Sequence, residues 1–290
     1  MNFLERREVR ENDRPKNVLA HDNCNGTSHS GEARQRMLKV RGEPLFVADW
    51  LRTIFIHFEV PAKMLQGEVP FELDLWEGKA FLSLVAFTMR GMRPRVGGRL
   101  AKWLFRPIAT HQFLNVRAYV NHRGEPGIYF LAEWMNNVWS AKLGPALFGL
   151  PYRLGKLEYA HEHELGRLAG LVQEGPAKLG YDAALPAPAQ FQPCETGTQE
   201  EFLLERYTAF TQHGSKRRYF RIWHPPWPQA EVQIESLDCG LLTRAWPWFE
   251  EAKLLGANYS PGFQDVWMGR AQLAIDERES KRLLVGRLKN

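Results

Sequence analysis

Residues 115–134 read NVRAYVNHRGEPGIYFLAEW, and this stretch predicts a β-hairpin. Apolar residues at 116, 118 and 120 alternate with Arg117 and Tyr119, which is the two-residue period of a strand with two distinct faces. The turn-forming run HRGEPG at 122–127 separates this strand from a second apolar segment, IYFLAEW, with a loop slightly longer than the commonest hairpin loops. We therefore expect two paired strands here, and the rest of the chain extends the same pattern.

Most of the other ordered segments also have the composition of strands. KAFLSLVAFTM at 79–89 and AEVQIESL at 230–237 predict strands, and a further strand is expected from residue 152 to about 165. Residues 136–148 predict a short helix, and residues 198–212 predict an amphipathic helix capped by Thr198. The Pro-, Ala- and Gly-rich run at 174–198 predicts a long surface connection. The pattern predicts a mainly β (α+β) protein with few helices.

Composition limits the classes of protein to consider. The first 43 residues are polar and low in aromatics, so they predict a disordered tail, and residues 44–290 predict one folded domain. No apolar run approaches the roughly 20 residues that span a bilayer, and the first 20 residues lack the apolar core of a signal peptide. A cytoplasmic protein without a membrane partner is the expectation. Three dispersed cysteines predict neither a disulfide framework nor a metal site.

Positive charge is concentrated in one part of the chain. The segment from Gly78 to Gly124 holds nine Lys and Arg residues and no Asp or Glu, and six of the nine lie in MRGMRPRVGGRLAKWLFR at 89–106. Such a segment can bind phosphates, which makes weak nucleic-acid binding through residues 89–106 one alternative function. A solvated basic loop explains the same residues and is the interpretation that we favour.

A set of motifs resembles a known bacterial family. WLRTIFIHFEVP, VPFELDLWEGKAFLSLVAF, NVRAYV, GEPGIYFLAEW, FGLPYRLGKL, FLLERYTAF and HPPWP occur in this order between residues 50 and 228. Together they resemble the YqjF-like family, a domain of unknown function. That family is in turn similar to the acetoacetate decarboxylase superfamily. The resemblance implies an antiparallel β-barrel or cone-like sheet around a central cavity, with a few peripheral helices.

The resemblance to the decarboxylases rests on Gly127, the segments IYF and NNVWSAKLG, and the turn Gly149-Leu150-Pro151. In the decarboxylases a lysine that forms a Schiff base with a keto acid follows this proline. Here Tyr152 follows it, and Arg153 comes next. Because a phenol cannot form a Schiff base, the decarboxylase mechanism is not expected to operate through this position. Lys156, on the same face of an extended strand but roughly 13 Å further along, is not expected to replace it.

Five residues form the predicted site. Tyr152 and Glu133 are the candidate catalytic acid or base, and Arg117, Tyr119 and Arg153 are the candidate ligand-binding residues for an organic anion. The first hypothesis is a β-lined pocket for a small organic acid or ketone, with lyase or proton-transfer chemistry that uses no Schiff base. The second is a non-catalytic structural or ligand-sensing module, in which Arg117 and Glu133 form a structural ion pair.

No cofactor or metal is predicted. The motif HEHE places His161 and His163 on one face of a strand, but zinc needs at least one more protein ligand and no other His or Cys segment has a complementary spacing. The predicted partner is a small anionic organic molecule. The sequence leaves open both the oligomeric state and whether the protein is an enzyme at all.

Overall fold

The computed structural model describes residues 29–274, apart from the side chains of residues 143, 146 and 147. Within these residues there are six α-helices and fourteen strands. The helices are α1 (His29–Leu38), α2 (Ala62–Glu68), α3 (Gly98–Phe105), α4 (Val138–Phe148), α5 (Gln199–Leu204) and α6 (Gly240–Ala245). Short 3-10 helices occur at Arg106–Ile108, His163–Leu165 and Pro247–Glu251.

The strands make up most of the ordered structure and confirm the prediction of a mainly β protein with few helices. They are β1 (Phe46–Val60), β2 (Glu72–Leu73), β3 (Ala80–Pro94), β4 (His111–His122), β5 (Glu125–Met135), β6 (Tyr152–Leu154), β7 (Lys156–Glu162), β8 (Arg167–Glu174), β9 (Ala177–Ala184), β10 (Thr208–His213), β11 (Lys216–Trp223), β12 (Ala230–Asp238), β13 (Lys253–Met268) and β14 (Gln272–Leu273).

The strand pairings close into a ring. Strands β13, β1, β3, β4, β5, β10 and β11 pair in this order, and β11 pairs again with β13 through Ile222 and Trp223. The sheet does not end with the ring, because β12, β9, β8 and β7 continue it from β13 as a second layer. Most pairings are antiparallel, but β5 pairs in parallel with both β6 and β10.

Alternating side chains on the ring strands supply two separate hydrophobic cores. All seven ring strands contribute to one core, which therefore lies inside the ring; its members include Phe55, Phe87, Phe130, Ala209 and Val266. The other core lies between the outer face of the ring and the second layer, where Val116, Trp134, Leu168 and Leu179 pack. Both faces of the central strands are buried, which explains their nearly continuous apolar sequences.

The hairpin predicted at 115–134 is confirmed as β4 and β5. Its turn consists of Arg123 and Gly124, both with positive φ (58° and 79°), so the loop is the short two-residue type rather than the longer one predicted. The register shifts by one residue between Val116 and Arg117, where a β-bulge opens.

The predicted disordered tail is wrong for residues 29–43, because α1 packs onto the ring. Met37 is buried, Ser30 Oγ donates to the His224 carbonyl over 2.7 Å, and Arg36 pairs with Glu125 at 2.9 Å. These long-range contacts order a helix that has little apolar sequence of its own. Residues 1–28 of the predicted tail, and residues 275–290 of the predicted domain, lie outside the described residues.

Two further predictions are wrong in part. The helix expected over 198–212 ends at Leu204, and residues 208–213 form β10, which pairs in parallel with β5 and antiparallel with β11. Its cap is as predicted: Thr198 Oγ1 accepts from the Glu201 backbone N–H. The connection expected over 174–198 contains β9, whose residues 177, 179, 181 and 183 are all buried. In both segments, strand pairing outweighs local sequence preference: each strand forms a hairpin with its neighbour in the chain, β11 or β8, and also pairs with a distant strand, β5 or β12.

Candidate functional site

A cavity of about 120 Å³ lies inside the ring at one end. Residues of α4 and of the 105–108 turn line it from one side, and residues of the ring strands line it from the other. Most of its wall is aromatic or aliphatic: the large side chains include Trp50, Phe87, Phe113, Phe130, Phe148 and Phe220. No lysine or arginine is among the described residues that line it. The cavity is thus suited to a small and mostly apolar molecule.

A β-bulge directs Glu133 into this cavity. Strict alternation along β5 would place Glu133 on the face of Tyr129 and Leu131, which pack against the outer core. At the bulge, β5 has one extra residue opposite the step from Val116 to Arg117 of β4. The extra residue shifts the alternation of side chains by one position, so Glu133 lies on the inner face together with Phe130. Bulges commonly re-aim a side chain next to a functional site.

The turn Gly149-Leu150-Pro151 brings Tyr152 opposite Glu133. Gly149 ends α4 in a left-handed conformation (φ 75°), and its N–H bonds the Pro145 carbonyl over 3.0 Å. The Glu133 N–H bonds the Pro151 carbonyl over 3.1 Å, and β6 then runs parallel to β5 with Tyr152 in register with Glu133. Both side chains line the cavity.

The ring of Tyr152 lies tightly against the backbone of α4 at Gly144. A methyl group at residue 144 would lie 2.0 Å from Tyr152 Cε2, far inside van der Waals contact. Gly144 therefore allows the ring to occupy its position between helix and strand. Burial, followed by the charge of Glu133, raises the pKa of Tyr152 well above its usual range, so the phenol stays protonated at neutral pH.

Glu133 is a buried carboxyl group without an ion pair. Its side chain is 4% exposed, and no basic residue within the described part of the chain forms a salt bridge with it. Burial alone raises its pKa from 4.5 to about 8. An acid in this environment is mostly protonated at pH 7, yet it can give up its proton within the physiological range.

Several buried polar atoms around the cavity, one of Glu133 among them, lack a hydrogen-bond partner. Within the described residues, buried atoms without a hydrogen bond include Glu133 Oε2, Asn115 Oδ1, Ser140 Oγ and Trp50 Nε1, and all four residues line the cavity. Asn115 is in register with Glu133 on the neighbouring strand. Buried polar atoms are almost always hydrogen-bonded in native proteins, so this concentration of unpaired atoms marks a place where a ligand or water belongs.

The side chains of Arg117 and Tyr119 are also buried inside the ring of strands, but they form hydrogen bonds away from the cavity. Arg117 Nη2 and Tyr119 Oη donate to the Leu203 carbonyl at the end of α5, over 2.7 and 2.8 Å. Tyr119 is also 2.5 Å from Ser83 Oγ, which in turn is 2.7 Å from His57 Nδ1. Neither Arg117 nor Tyr119 is among the residues that line the cavity. The predicted ion pair between Arg117 and Glu133 does not form.

The prediction that Arg153 faces the cavity is wrong. Successive residues of a strand point to opposite faces, and Tyr152 occupies the inner one. The guanidinium of Arg153 lies 5.2 Å from the Trp134 ring and 3.7 Å from Glu174, outside the ring of strands. Lys156 is exposed and pairs with Glu158 at 2.7 Å, so it does not take the place of a catalytic lysine either.

The HEHE segment is explained by hydrogen bonds. His161 Nε2 lies 2.6 Å from Tyr181 Oη, and His163 Nδ1 lies 3.0 Å from Tyr259 Oη. Burial lowers the pKa of His161 to about 4, so the imidazole is neutral at pH 7. Across residues 29–274 there is no group of three His, Cys, Asp or Glu side chains that could hold a metal ion.

Sequence reasoning missed three polar residues of the cavity wall. Asn115, Ser140 and His111 are not among the site residues predicted from the sequence. His111 lines the cavity with its ring 4.6 Å from that of Phe113, and burial lowers its pKa to about 4. Asn115 could have been found, because it precedes Arg117 by two residues and therefore shares its strand face. Ser140 is brought to the cavity by the way α4 packs, which local sequence does not reveal.

Comparison with known proteins gives one family and one fold. Residues 47–262 match the model of the DUF2071 family, which is described as an uncharacterised conserved protein. The uncharacterised protein YqjF of Bacillus subtilis is 26% identical over 198 residues, which are 65% of this chain and 78% of that protein.

Solved structures with a similar fold include the acetoacetate decarboxylase of Legionella pneumophila, with a TM-score of 0.57 and 12% identity; the match covers 81% of this chain and 88% of that one. The enduracididine biosynthesis enzyme MppR, complexed with pyruvate, gives a TM-score of 0.55 and 10% identity over 80% of this chain and 91% of that one. At these identities the likeness establishes the fold and leaves the chemistry to the residues of the site.

Proposed function

Because the chain belongs to the DUF2071 family and has the acetoacetate decarboxylase fold, we propose that its cavity binds a small neutral carbonyl compound and transfers protons through Glu133. The observation that carries the proposal is the buried Glu133 carboxyl group opposite Tyr152, which forms no ion pair within the described residues and whose Oε2 has no hydrogen-bond partner, in a mostly apolar cavity. A protein of the same fold, MppR, has been solved in complex with pyruvate, which is a carbonyl compound but also an anion; the carbonyl group is the feature that we carry over, and the charge is not.

Charge and size narrow the class of ligand. The sequence predicts an anionic ligand held by arginines, but neither Arg117 nor Arg153 lines the cavity, and a carboxylate there would be buried without a counter-charge. A neutral ketone, aldehyde or ester has no such cost. A cavity of about 150 Å³ holds a benzene molecule, so a cavity of about 120 Å³ suits a ligand of about six non-hydrogen atoms.

The two residues have different roles in the proposed proton transfer. Tyr152, which stays protonated, donates a hydrogen bond to the carbonyl oxygen of the ligand. The ionised form of Glu133 removes a proton from the carbon next to the carbonyl group, and the negative charge moves to the oxygen that Tyr152 stabilises. Return of a proton from Glu133 regenerates the ketone. With a pKa of about 8, about a tenth of Glu133 is ionised at pH 7.

A pair of ligands with the same shape tests the proposal. We would measure binding of 2-pentanone and butanoate by ligand-observed NMR at pH 7, and exchange of the ketone's α-protons for deuterium. We expect 2-pentanone to bind more tightly than butanoate, and its exchange to accelerate as pH rises to about 8 and then to level off. Glu133→Gln should abolish the catalysed exchange, whereas Glu158→Gln, which removes an exposed carboxylate, should not. Failure of both compounds to bind would refute the proposal.

A ligand-sensing module is the second candidate, and the same experiment separates it from an enzyme. The unpaired polar atoms of the cavity favour a ligand but do not themselves require turnover. Under the sensing hypothesis, 2-pentanone binds and raises the melting temperature while the α-protons exchange no faster than in buffer. Under the enzymatic hypothesis, binding and exchange occur together.

A further inference from the structure

Helix α3 exposes its apolar residues to solvent. Leu100, Trp103 and Leu104 share one face of the helix at i, i+3 and i+4, and they are 68%, 66% and 60% exposed. Val96 precedes the helix and is 76% exposed. A surface helix normally turns such a stripe towards the core, so this arrangement calls for a partner.

Helix α4, which lines the cavity from the same side as the turn after α3, extends the apolar surface of α3. Val138 and Trp139 of α4 are exposed, and Asn137 Nδ2 bonds the Pro107 carbonyl over 2.7 Å, which ties the start of α4 to the turn after α3. We call the combined surface the apolar patch; it consists of Val96, Leu100, Trp103, Leu104, Val138 and Trp139. Six large exposed apolar residues, two of them tryptophans, thus lie on two adjoining segments.

Positive charge borders the apolar patch. The basic side chains of this segment are spaced at i, i+3 and i+7, at Arg99, Lys102 and Arg106. They form a basic stripe beside the apolar stripe that contains Leu100. All three are exposed, and none forms a salt bridge within the described part of the chain. Lys142 adds a fourth cation on α4, and neither segment contains an acidic residue.

We propose that the apolar patch and its basic border dock the protein onto the surface of an anionic lipid bilayer. A basic amphipathic helix with Trp and Leu on its apolar face is typical of segments that lie in the membrane interface. Anionic headgroups complement the four cations, and the aliphatic side chains of Val96, Leu100 and Leu104 have a favourable partner in lipid but not in nucleic acid. The sequence predicts no membrane partner, because no apolar run is long enough to span a bilayer. None of the helices described in the structure is long and apolar enough to do so either; docking onto the surface needs no such helix.

Vesicle co-sedimentation of the full chain tests this proposal. We expect binding to phosphatidylcholine vesicles that contain about 30% phosphatidylglycerol, much weaker binding to pure phosphatidylcholine, and a loss of binding in about 0.5 M salt. The variant Arg99→Gln/Lys102→Gln/Arg106→Gln should lose about fivefold in partitioning for each charge, or about 100-fold in total.

Two further variants separate lipid contact from charge alone. Leu100→Ser/Trp103→Ser/Leu104→Ser should also lose binding while unfolding at the wild-type temperature, because α3 has no buried residues. Leu165→Ser, which changes an equally exposed leucine in the second layer, should bind like the wild type.

Three results would overturn the proposal. The first is equal binding by the apolar triple variant and the wild type. The second is binding to duplex nucleic acid instead of vesicles. The third is a concentration-dependent dimer, lost in the apolar triple variant, with no affinity for vesicles.

Discussion

Replacement of Glu133 by glutamine should remove a pH dependence of stability that this one buried group imposes. Its pKa is about 8 in the folded protein and 4.5 in an exposed chain. Between these values the folded state binds more protons than the unfolded state, so the free energy of unfolding decreases as pH rises. One pKa unit corresponds to about 1.4 kcal/mol, and the wild type should therefore lose about 3–4 kcal/mol between pH 5 and pH 8 through Glu133.

Glutamine has nearly the same shape but does not titrate, so the difference between Glu133→Gln and the wild type isolates this contribution. His111 and Tyr152 face Glu133, but in the folded protein the pKa of His111 is about 4 and that of Tyr152 lies well above its usual value, so neither titrates there between pH 5 and 8. His111 does titrate near pH 6.5 in the unfolded chain, and this contribution is common to both proteins and cancels in their difference. We would measure urea unfolding of both proteins at intervals from pH 5 to 9. Glu158→Gln serves as the control and should follow the wild type. If the wild type and Glu133→Gln have parallel pH profiles, the carboxyl group is solvated or paired and our account of the cavity is wrong.

Substitutions at three other positions test the packing of the site and the separation of its two polar clusters. Gly144→Ala should lower the free energy of unfolding by about 1–3 kcal/mol, because the new methyl group overlaps the Tyr152 ring. The double variant Gly144→Ala/Tyr152→Leu should lose less free energy of unfolding than the sum of the two single variants. Tyr152→Phe should weaken binding of 2-pentanone by about 2- to 10-fold in an NMR titration, the value of one hydrogen bond, with little change in stability. Arg117→Ala should cost about 3–5 kcal/mol in urea unfolding, because it leaves the Leu203 carbonyl short of a donor and opens a cavity. Arg117→Met should cost less, and neither Arg117 variant should change the affinity for 2-pentanone; a large loss of affinity would mean that Arg117 reaches the ligand.

Local sequence predicts those parts of the fold in which neighbouring residues determine the structure. The hairpin of β4 and β5 is local, and alternation together with a turn identifies it. By contrast, β10 replaces the second half of a predicted helix: its hairpin with β11 is local, but its parallel partner β5 lies about 80 residues earlier in the chain and is supplied by the fold. The same applies to α1, whose burial of Met37 and contacts to residues about 90 and 190 positions away are invisible in its polar sequence.

The candidate site shows a similar division. Tyr152 was located from the turn that precedes it, and Glu133 from a carboxylate in an apolar strand. The reason that Glu133 faces inward was not predictable, since strict alternation gives the opposite face and only the bulge restores it. The error over Arg153 was avoidable, because adjacent strand residues cannot both face one cavity. Arg117 was placed on the correct face, but its actual partner, Leu203, lies 86 residues away.

The residue at position 152 sets the charge of the whole cavity. A lysine there, as in the decarboxylases that the turn resembles, would lie in register with Glu133 and would hold that carboxyl group ionised. Tyrosine supplies no positive charge, so burial acts on Glu133 without compensation and its pKa rises to about 8. The same tyrosine that removes Schiff-base chemistry therefore also makes the cavity neutral. An anion would enter such a cavity without a counter-ion, whereas a neutral carbonyl compound meets two hydrogen-bond donors, the protonated Glu133 and Tyr152. Under the proposed function, reaction and ligand class thus depend on one position, and a folded-state pKa near 4.5 for Glu133 would contradict both inferences together.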